Sequence, residues 1–113
     1  MKSREMQNQE EYLLVTTACP EQGVAIDLAN KIVDAKLAAC VNIVPTVISV
    51  YKWQGQKEQA DESLLLIKTS QGKYSALQAL IVAHHPYELP EVIAVPINSG
   101  LPDYLAWISD SIE

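Results

Sequence analysis

The chain has 113 residues, the length of one domain, and carries a formal net charge of −6 at pH 7. Hydrophobic residues make up 49% of it, but no apolar run approaches the roughly 18 residues of a membrane-spanning helix, so we expect no membrane association. The one arginine, Arg4, lies near the N-terminus, and the four glycines form no phosphate-binding loop. Nucleic acids and polyphosphates are therefore not expected as partners.

Residues 1–10 are charged, glutamine-rich and without a hydrophobic centre. This composition predicts a flexible tail rather than a signal or transit peptide, followed by a single domain over residues 11–113. We expect a soluble protein of the cytoplasm. In that reducing compartment, Cys19 and Cys40 are expected to be free thiols.

The first elements are a strand and an amphipathic helix. Residues 11–18 are apolar and β-branched, which predicts a buried strand. Pro20 fits the first turn of a helix. Apolar residues then recur at helical spacing to about Leu37, so we expect the helix to run that far.

Residues 40–53 and 56–69 are predicted as two strands joined by a tight turn at Gln54-Gly55. Each arm is about 14 residues long, against a usual 5–6. Pro45 marks the first arm as an edge strand or a bulged one. Because this arm is apolar on both faces, an open edge would invite aggregation. We therefore predict a homo-oligomer that forms partly by strand pairing.

The second helix is expected to begin at Ser70, which can act as its cap, and to end near His84. Pro86 enforces that end, because a residue that precedes proline is steered out of helical geometry. The chain between His84 and the next strand should therefore be stiff and extended.

Residues 92–97 predict a short strand near a sheet edge, and Pro102 opens a last helix. The element order is β-α-β-β-α-β-α. This order, with its long hairpin between the helices, predicts an α+β fold, a ferredoxin-like split βαβ sandwich. Right-handed crossovers give an antiparallel sheet in the order 4-1-3-2.

That topology predicts which residues meet. Cys19, Trp53 and residues 84–91 should share one end of the sheet, because the first strand ends there, the hairpin tip reaches it and the fourth strand begins there. Cys40 begins its strand at the opposite end. A disulfide between Cys19 and Cys40 is therefore expected to be impossible.

Residues 84–91 concentrate two imidazoles, a phenol and two carboxylates around two prolines. His84 and His85 with Cys19 are candidate ligands for Cu(II) or Zn(II), ions that favour imidazole and thiolate. In the alternative interpretation, the stretch is a rigid connector. His84 then completes the apolar stripe of its helix, and His85 binds the backbone.

Further polar and aromatic residues are candidates for a cleft between subunits, since oligomer boundaries favour aromatic rings with a polar tip. These candidates are Tyr51, Trp53, Lys68, Tyr87, Glu88, Glu91 and Trp107. The alternatives are core or interface packing for the rings, solvation for the carboxylates and an exposed strand end for Lys68. No motif pairs a nucleophile with a base, so we do not expect an enzyme.

Four segments together resemble one family. They are Lys-Leu-Ala-Ala-Cys-Val-Asn at residues 36–42, Tyr-Lys-Trp-Gln-Gly at 51–55, His-Pro-Tyr-Glu-Leu-Pro-Glu at 85–91 and Tyr-Leu-Ala-Trp at 104–107. Their order and spacing resemble the CutA family of divalent-cation tolerance proteins, from about Tyr12 to the end.

The resemblance implies a homotrimer of ferredoxin-like subunits that pair their long hairpins. It also implies copper binding by the histidine pair, with a cysteine whose position falls here on Thr17, two residues before Cys19. The expected function is therefore divalent-metal binding, copper above all, in metal tolerance. The alternative is a regulatory or scaffolding trimer similar to the PII signal proteins, with a small-molecule ligand or a partner in the cleft.

Overall fold

The computed structural model describes residues 11–113, so the predicted tail over residues 1–10 lies outside the described residues. The strands are β1 (Tyr12–Cys19), β2 (Cys40–Trp53), β3 (Gln56–Ser70) and β4 (Ile93–Ile97). The helices are α1 (Gln22–Asp34), α2 (Tyr74–His84) and α3 (Pro102–Ser111), with a short 3-10 turn (Gln71–Lys73) before α2. No helix in this part of the chain is long and apolar enough to cross a membrane.

The four strands form one antiparallel sheet in the order β2-β3-β1-β4. This is the predicted order read from the other edge, and it confirms the ferredoxin-like α+β fold. Cys19 stands opposite Ser63 of β3, whereas Cys40 stands opposite Lys68. Five residues of strand, roughly 17 Å, separate these two positions along β3. Both cysteines are free, as predicted.

The core lies between the sheet and the helices α1 and α2. Its largest fully buried side chains are Val15, Ile32, Leu65, Ile67, Leu77 and Ile81. Each such side chain contributes about 1.5–3 kcal/mol through its removal from water. Helix α3 buries Ile108 and is tied to β1 by the Tyr12 hydroxyl, which lies 2.6 Å from Ser109 Oγ.

Two helix boundaries differ from the sequence prediction. Helix α1 ends at Asp34 rather than near Leu37, because Lys36 adopts a left-handed φ of 60° and the Leu37 N–H donates to the Ile32 carbonyl. Ser70 does not cap α2. The 3-10 turn intervenes, and the Ser70 side chain makes no capping hydrogen bond.

The β2–β3 hairpin extends beyond the rest of the sheet. Gln54 and Gly55 turn it with φ of 53° and 83°, the left-handed geometry of a two-residue hairpin turn. Pro45 lies in a β-bulge, as expected for a proline inside a strand. Because β1 ends opposite Ser63, residues 47–53 and 56–62 pair only with each other. We call this two-stranded projection the ribbon.

Candidate functional site

Residues 84–91, which we call the proline-bounded stretch, begin where α2 ends. The His85 N–H still donates to the Ile81 carbonyl at 2.8 Å, which closes the last turn of the helix. His85 itself is extended, with φ −81° and ψ 138°, the geometry that a residue before proline prefers. The predicted stop at His84 is therefore confirmed, and the imidazole of His85 turns toward the end of β1.

The His85 ring is buried and is held by two backbone groups. The Tyr87 N–H donates to Nδ1 at 3.1 Å, and a backbone N–H can only donate. The ring proton therefore sits on Nε2, which donates to the Ala18 carbonyl at 2.7 Å. Both nitrogens of this neutral imidazole are occupied, and the ring joins the end of β1 to the proline-bounded stretch.

Cys19 lies beside this ring as a buried thiol. Its Sγ is 3.9 Å from His85 Nε2, and its side chain is fully buried. Burial, and then the charge of Glu62, raise the pKa of the Cys19 thiol to about 11. Metals bind the thiolate, so an ion at Cys19 would have to displace the thiol proton.

His84 lies apart from this pair. Its exposed side chain borders a separate cavity of about 240 Å³, together with Asp27 and Lys31 of α1. The three predicted ligands therefore do not surround a common point in one chain. Across residues 11–113, no three His, Cys, Asp or Glu side chains form a group that could hold a metal ion. The residues do not fit a copper or zinc centre formed by His84, His85 and Cys19.

Thr17 occupies the position where the resemblance places the family cysteine. It is fully buried, and its Oγ1 finds no hydrogen-bond partner within the described part of the chain. Alternation along β1 puts Thr17 and Cys19 on the same face of the strand. A neutral hydroxyl does not supply the soft sulfur ligand that copper favours, so Thr17 does not restore the predicted centre.

A cleft of about 780 Å³ lies between the base of the ribbon and the proline-bounded stretch. Three aromatic rings and three carboxylates line it. They belong to Tyr51, Trp53, Tyr87, Glu62, Glu88 and Glu91. Five of the predicted cleft residues are thus brought together, and Trp53 shares the cleft with the proline-bounded stretch as the topology predicts.

Two short hydrogen bonds fix the cleft walls to the sheet. The Tyr87 hydroxyl donates to Glu62 Oε2, and Thr16 Oγ1 donates to Glu91 Oε2, both at 2.6 Å. Burial and the bond to Glu62 hold the pKa of the Tyr87 phenol well above its usual range. Tyr87 is therefore a neutral donor that the negative Glu62 orients.

Two predicted cleft residues lie elsewhere. Lys68 is at the opposite end of the sheet, beside Cys40, and its Nζ donates to Asn42 Oδ1. Trp107 lies on α3, where its ring contacts Tyr104 at a centroid distance of 5.4 Å. Neither lines the cleft.

Glu62 is the cleft residue that the sequence analysis missed. It is buried although it is charged. A signal was present, because strand alternation places Glu62 on the same face as Leu64 and Leu66. A buried carboxylate beside two apolar residues on one face of a strand indicates a specific partner, and here the partner is Tyr87.

Comparison with known proteins gives a consistent family. Residues 13–111 match the model of the CutA1 divalent ion tolerance protein family. A CutA homolog of Xenopus laevis is 48% identical over 94 residues, which are 83% of this chain and 62% of that protein. Against the mouse protein CutA, the chain spans 54% of the length of that relative. The divalent-cation tolerance protein CutA of Thermus thermophilus is 42% identical, over 90% of this chain and 97% of that protein.

Solved structures agree with this result. CutA from Xylella fastidiosa has a TM-score of 0.88 at 41% identity, covering 90% of this chain and 98% of that one. The protein described as the periplasmic divalent cation tolerance protein CutA of Archaeoglobus fulgidus also has a TM-score of 0.88. Its identity is 32%, over 90% of this chain and 99% of that one.

Proposed function

Because this chain belongs to the CutA1 divalent ion tolerance protein family, we propose that it acts in tolerance of divalent metal ions as a homotrimer. In this proposal three copies pair their ribbons, and each neighbouring copy closes a cleft that receives the ligand. Copper is the ion proposed for the first test. The cytoplasm is the proposed compartment, since it keeps thiols such as Cys19 and Cys40 reduced.

The ribbon is the observation that carries the proposal. β2 is an edge strand, and β1 leaves the outer edge of residues 56–62 unpaired. Ile48 and Val50 on the ribbon are 66% and 62% exposed. A two-stranded hairpin by itself is marginally stable in water, and unpaired edges attract further strands. Pairing between copies would satisfy the open edges and cover the apolar side chains.

We propose a binding protein rather than an enzyme. The thiol beside His85 is the nearest approach to a nucleophile with a base, but burial raises the pKa of Cys19 to about 11. A nucleophilic cysteine needs a lowered pKa. The carboxylates of the cleft, with no lysine or arginine among its described lining residues, favour a cation as ligand.

Expression in a copper-sensitive host that lacks its own family member tests the function. We expect the chain to raise the copper concentration that the host tolerates. The variant Ile48→Asp/Val50→Asp, which places charge on the ribbon, should remain folded but lose both assembly and protection. Equal protection by a monomeric variant, or no protection by the intact chain, would contradict the proposal.

A calorimetric titration of the reduced protein with Cu(II) and Zn(II) locates the ion. Since both nitrogens of His85 are occupied, we expect His85→Gln to leave ion binding unchanged within the folded protein. Loss of stoichiometric binding in this variant would restore the predicted centre at Cys19, His84 and His85. His84→Ala is the matched control at the neighbouring position.

A second candidate function is a regulatory or scaffolding trimer similar to the PII proteins, in which a small molecule occupies the cleft. The cleft volume of about 780 Å³ favours it, because small-molecule sites run from about 300 to 1,000 Å³. A thermal shift with a metabolite that is indifferent to a chelator would support this candidate. A shift that the chelator abolishes would support the metal instead.

A further inference from the structure

The charge of the cleft selects the sign of its ligand. Glu62, Glu88 and Glu91 line it, and among residues 11–113 no lysine, arginine or histidine does. The whole chain adds a net charge of −6. A cavity lined by charges of one sign attracts ligands of the opposite sign, so an anionic metabolite is disfavoured and a cation is favoured.

The aromatic rings of the cleft favour one class of cation as its ligand. Tyr51 and Trp53 come from the ribbon, Tyr87 comes from the proline-bounded stretch, and all three border the same space. Tyr51 and Trp53 are 44% and 38% exposed in one chain, and both rings border the cleft from the side of the ribbon. Aromatic faces attract cations, and organic ammonium groups are the ligands that such cages recognise.

Glu62 supplies the third observation. Its side chain is only 8% exposed. Oε2 accepts the Tyr87 hydroxyl at 2.6 Å. A carboxylate can accept several hydrogen bonds, and a buried charge is stabilised by a counter-charge. A cation in the cleft would provide that counter-charge beside the rings.

A bare metal ion does not use this combination. No three ligand side chains converge within the described chain, and a cleft of about 780 Å³ is much larger than one small ion. We therefore propose that the cleft binds a small organic cation, an ammonium-bearing metabolite, between Tyr51, Trp53 and Tyr87, with Glu62 as its counter-charge. This inference rests on the second candidate function, a small molecule in the cleft, and assigns that molecule to a chemical class.

Choline and its neutral isostere 3,3-dimethyl-1-butanol form a matched pair of probes that differ in charge but hardly in shape. We expect the full-length protein to bind choline about tenfold or more tightly than the alcohol in a calorimetric titration. The choline methyl resonance should also move upfield in NMR spectra, because the bound methyl groups lie against aromatic faces.

Variants locate the site. Tyr51→Leu should weaken choline binding about 5- to 30-fold, whereas Tyr51→Phe, which keeps the ring, should change it less than about twofold. Tyr104→Leu is the matched control, since Tyr104 is 40% exposed but lies on α3. Glu62→Gln keeps the shape of the side chain and removes its charge, and should weaken binding about tenfold.

Sedimentation of the same samples separates this inference from the proposed function. Tighter binding of choline than of the alcohol, together with weaker choline binding in Tyr51→Leu, supports the assigned ligand class whatever oligomeric mass is measured. Equal binding of the alcohol, no binding of choline, or equal effects of Tyr51→Leu and Tyr104→Leu overturns it. A trimer that ignores choline overturns the ligand class alone, and a monomer that binds choline overturns only the assembly.

Discussion

The two halves of strand β3 contrast with each other. Residues 63–70 pair with β1, residues 64–68 also pair with β2, and their side chains mostly alternate between buried and half-buried. Residues 56–62 pair with β2 alone, and all but Ala60 and Glu62 are exposed. One continuous strand therefore contributes to the core at one end and to an open ribbon at the other.

The two halves obtain their stability differently. In the inner half, burial within the chain suffices, because α1 and α2 cover the sheet. In the outer half, the apolar side chains of the partner strand β2, such as Ile48, have no cover in one chain. The contrast supports the proposal that the ribbon belongs to a surface between copies.

The largest expected effect separates the two halves directly. Leu65→Ala in the inner half should lower the free energy of unfolding by about 2–5 kcal/mol, because it leaves a cavity among fully buried neighbours. Ile48→Ala in the ribbon should lower it by less than about 0.5 kcal/mol at a dilution where both proteins are single chains, because Ile48 is 66% exposed there. Urea unfolding measures both values. Comparable losses of unfolding free energy in the two variants would contradict the difference between the two halves of β3.

The next largest loss of stability is expected at the second of two adjacent histidines, His84 and His85. His85→Ala should cost about 1–3 kcal/mol of unfolding free energy, because it leaves the Ala18 carbonyl and the Tyr87 N–H without their partner. His84→Ala, at an exposed position, should change stability by less than about 0.5 kcal/mol. Thermal unfolding of the two metal-free variants provides the measurement. A larger loss for His84→Ala would refute the assigned roles.

Alkaline pH should lower the free energy of unfolding, because burial makes two groups resist deprotonation in the folded chain. The Cys19 thiol has a pKa of about 11 in the folded chain, against an ordinary value of 9.0. Between these pH values the unfolded chain has released a proton that the folded chain retains, so stability falls as pH rises from about 9 to about 11. The raised pKa of Tyr87 adds a loss of the same sign above its ordinary value.

Melting temperatures measured from pH 8 to pH 11 test this dependence. Cys19→Ala should flatten the decline, whereas Cys40→Ala, at the far end of the sheet, should leave it as in the intact chain. An unchanged slope in Cys19→Ala would show that this thiol does not contribute.

The smallest expected effect is a gain in stability. Thr17→Val removes a buried hydroxyl without a partner in the described chain and keeps the side-chain shape, so it should raise the free energy of unfolding by about 1 kcal/mol. Thr16→Val is the matched control on the opposite face of β1, since it loses the bond to Glu91 and should lower stability slightly. Chemical denaturation at neutral pH measures both. Destabilisation by Thr17→Val would indicate that the hydroxyl has a partner in the assembled protein.

The sequence predicted the fold well because its signals are local and strong. Pro86 marks the end of α2 and Pro102 the start of α3. The length and apolarity of residues 40–53 predicted a long hairpin strand. The end of α1 was missed, since a left-handed residue such as Lys36 carries no signal comparable to glycine.

The site was harder to predict, because side-chain direction decides it. The topology correctly placed Cys19, Trp53 and the proline-bounded stretch at one end of the sheet. The alternative in which His85 binds the backbone is confirmed, whereas His84 is exposed beside α1 and does not complete an apolar stripe. Adjacent residues at the end of a helix point in different directions, so two neighbouring imidazoles need not share one ion.

Sedimentation equilibrium over a range of concentrations tests the central claim that the ribbon is completed by other copies of the chain. The account predicts a mass three times that of the 12.5 kDa chain, which falls to the mass of one chain in Ile48→Asp/Val50→Asp. A mass of 12.5 kDa for the intact protein at every concentration would contradict it.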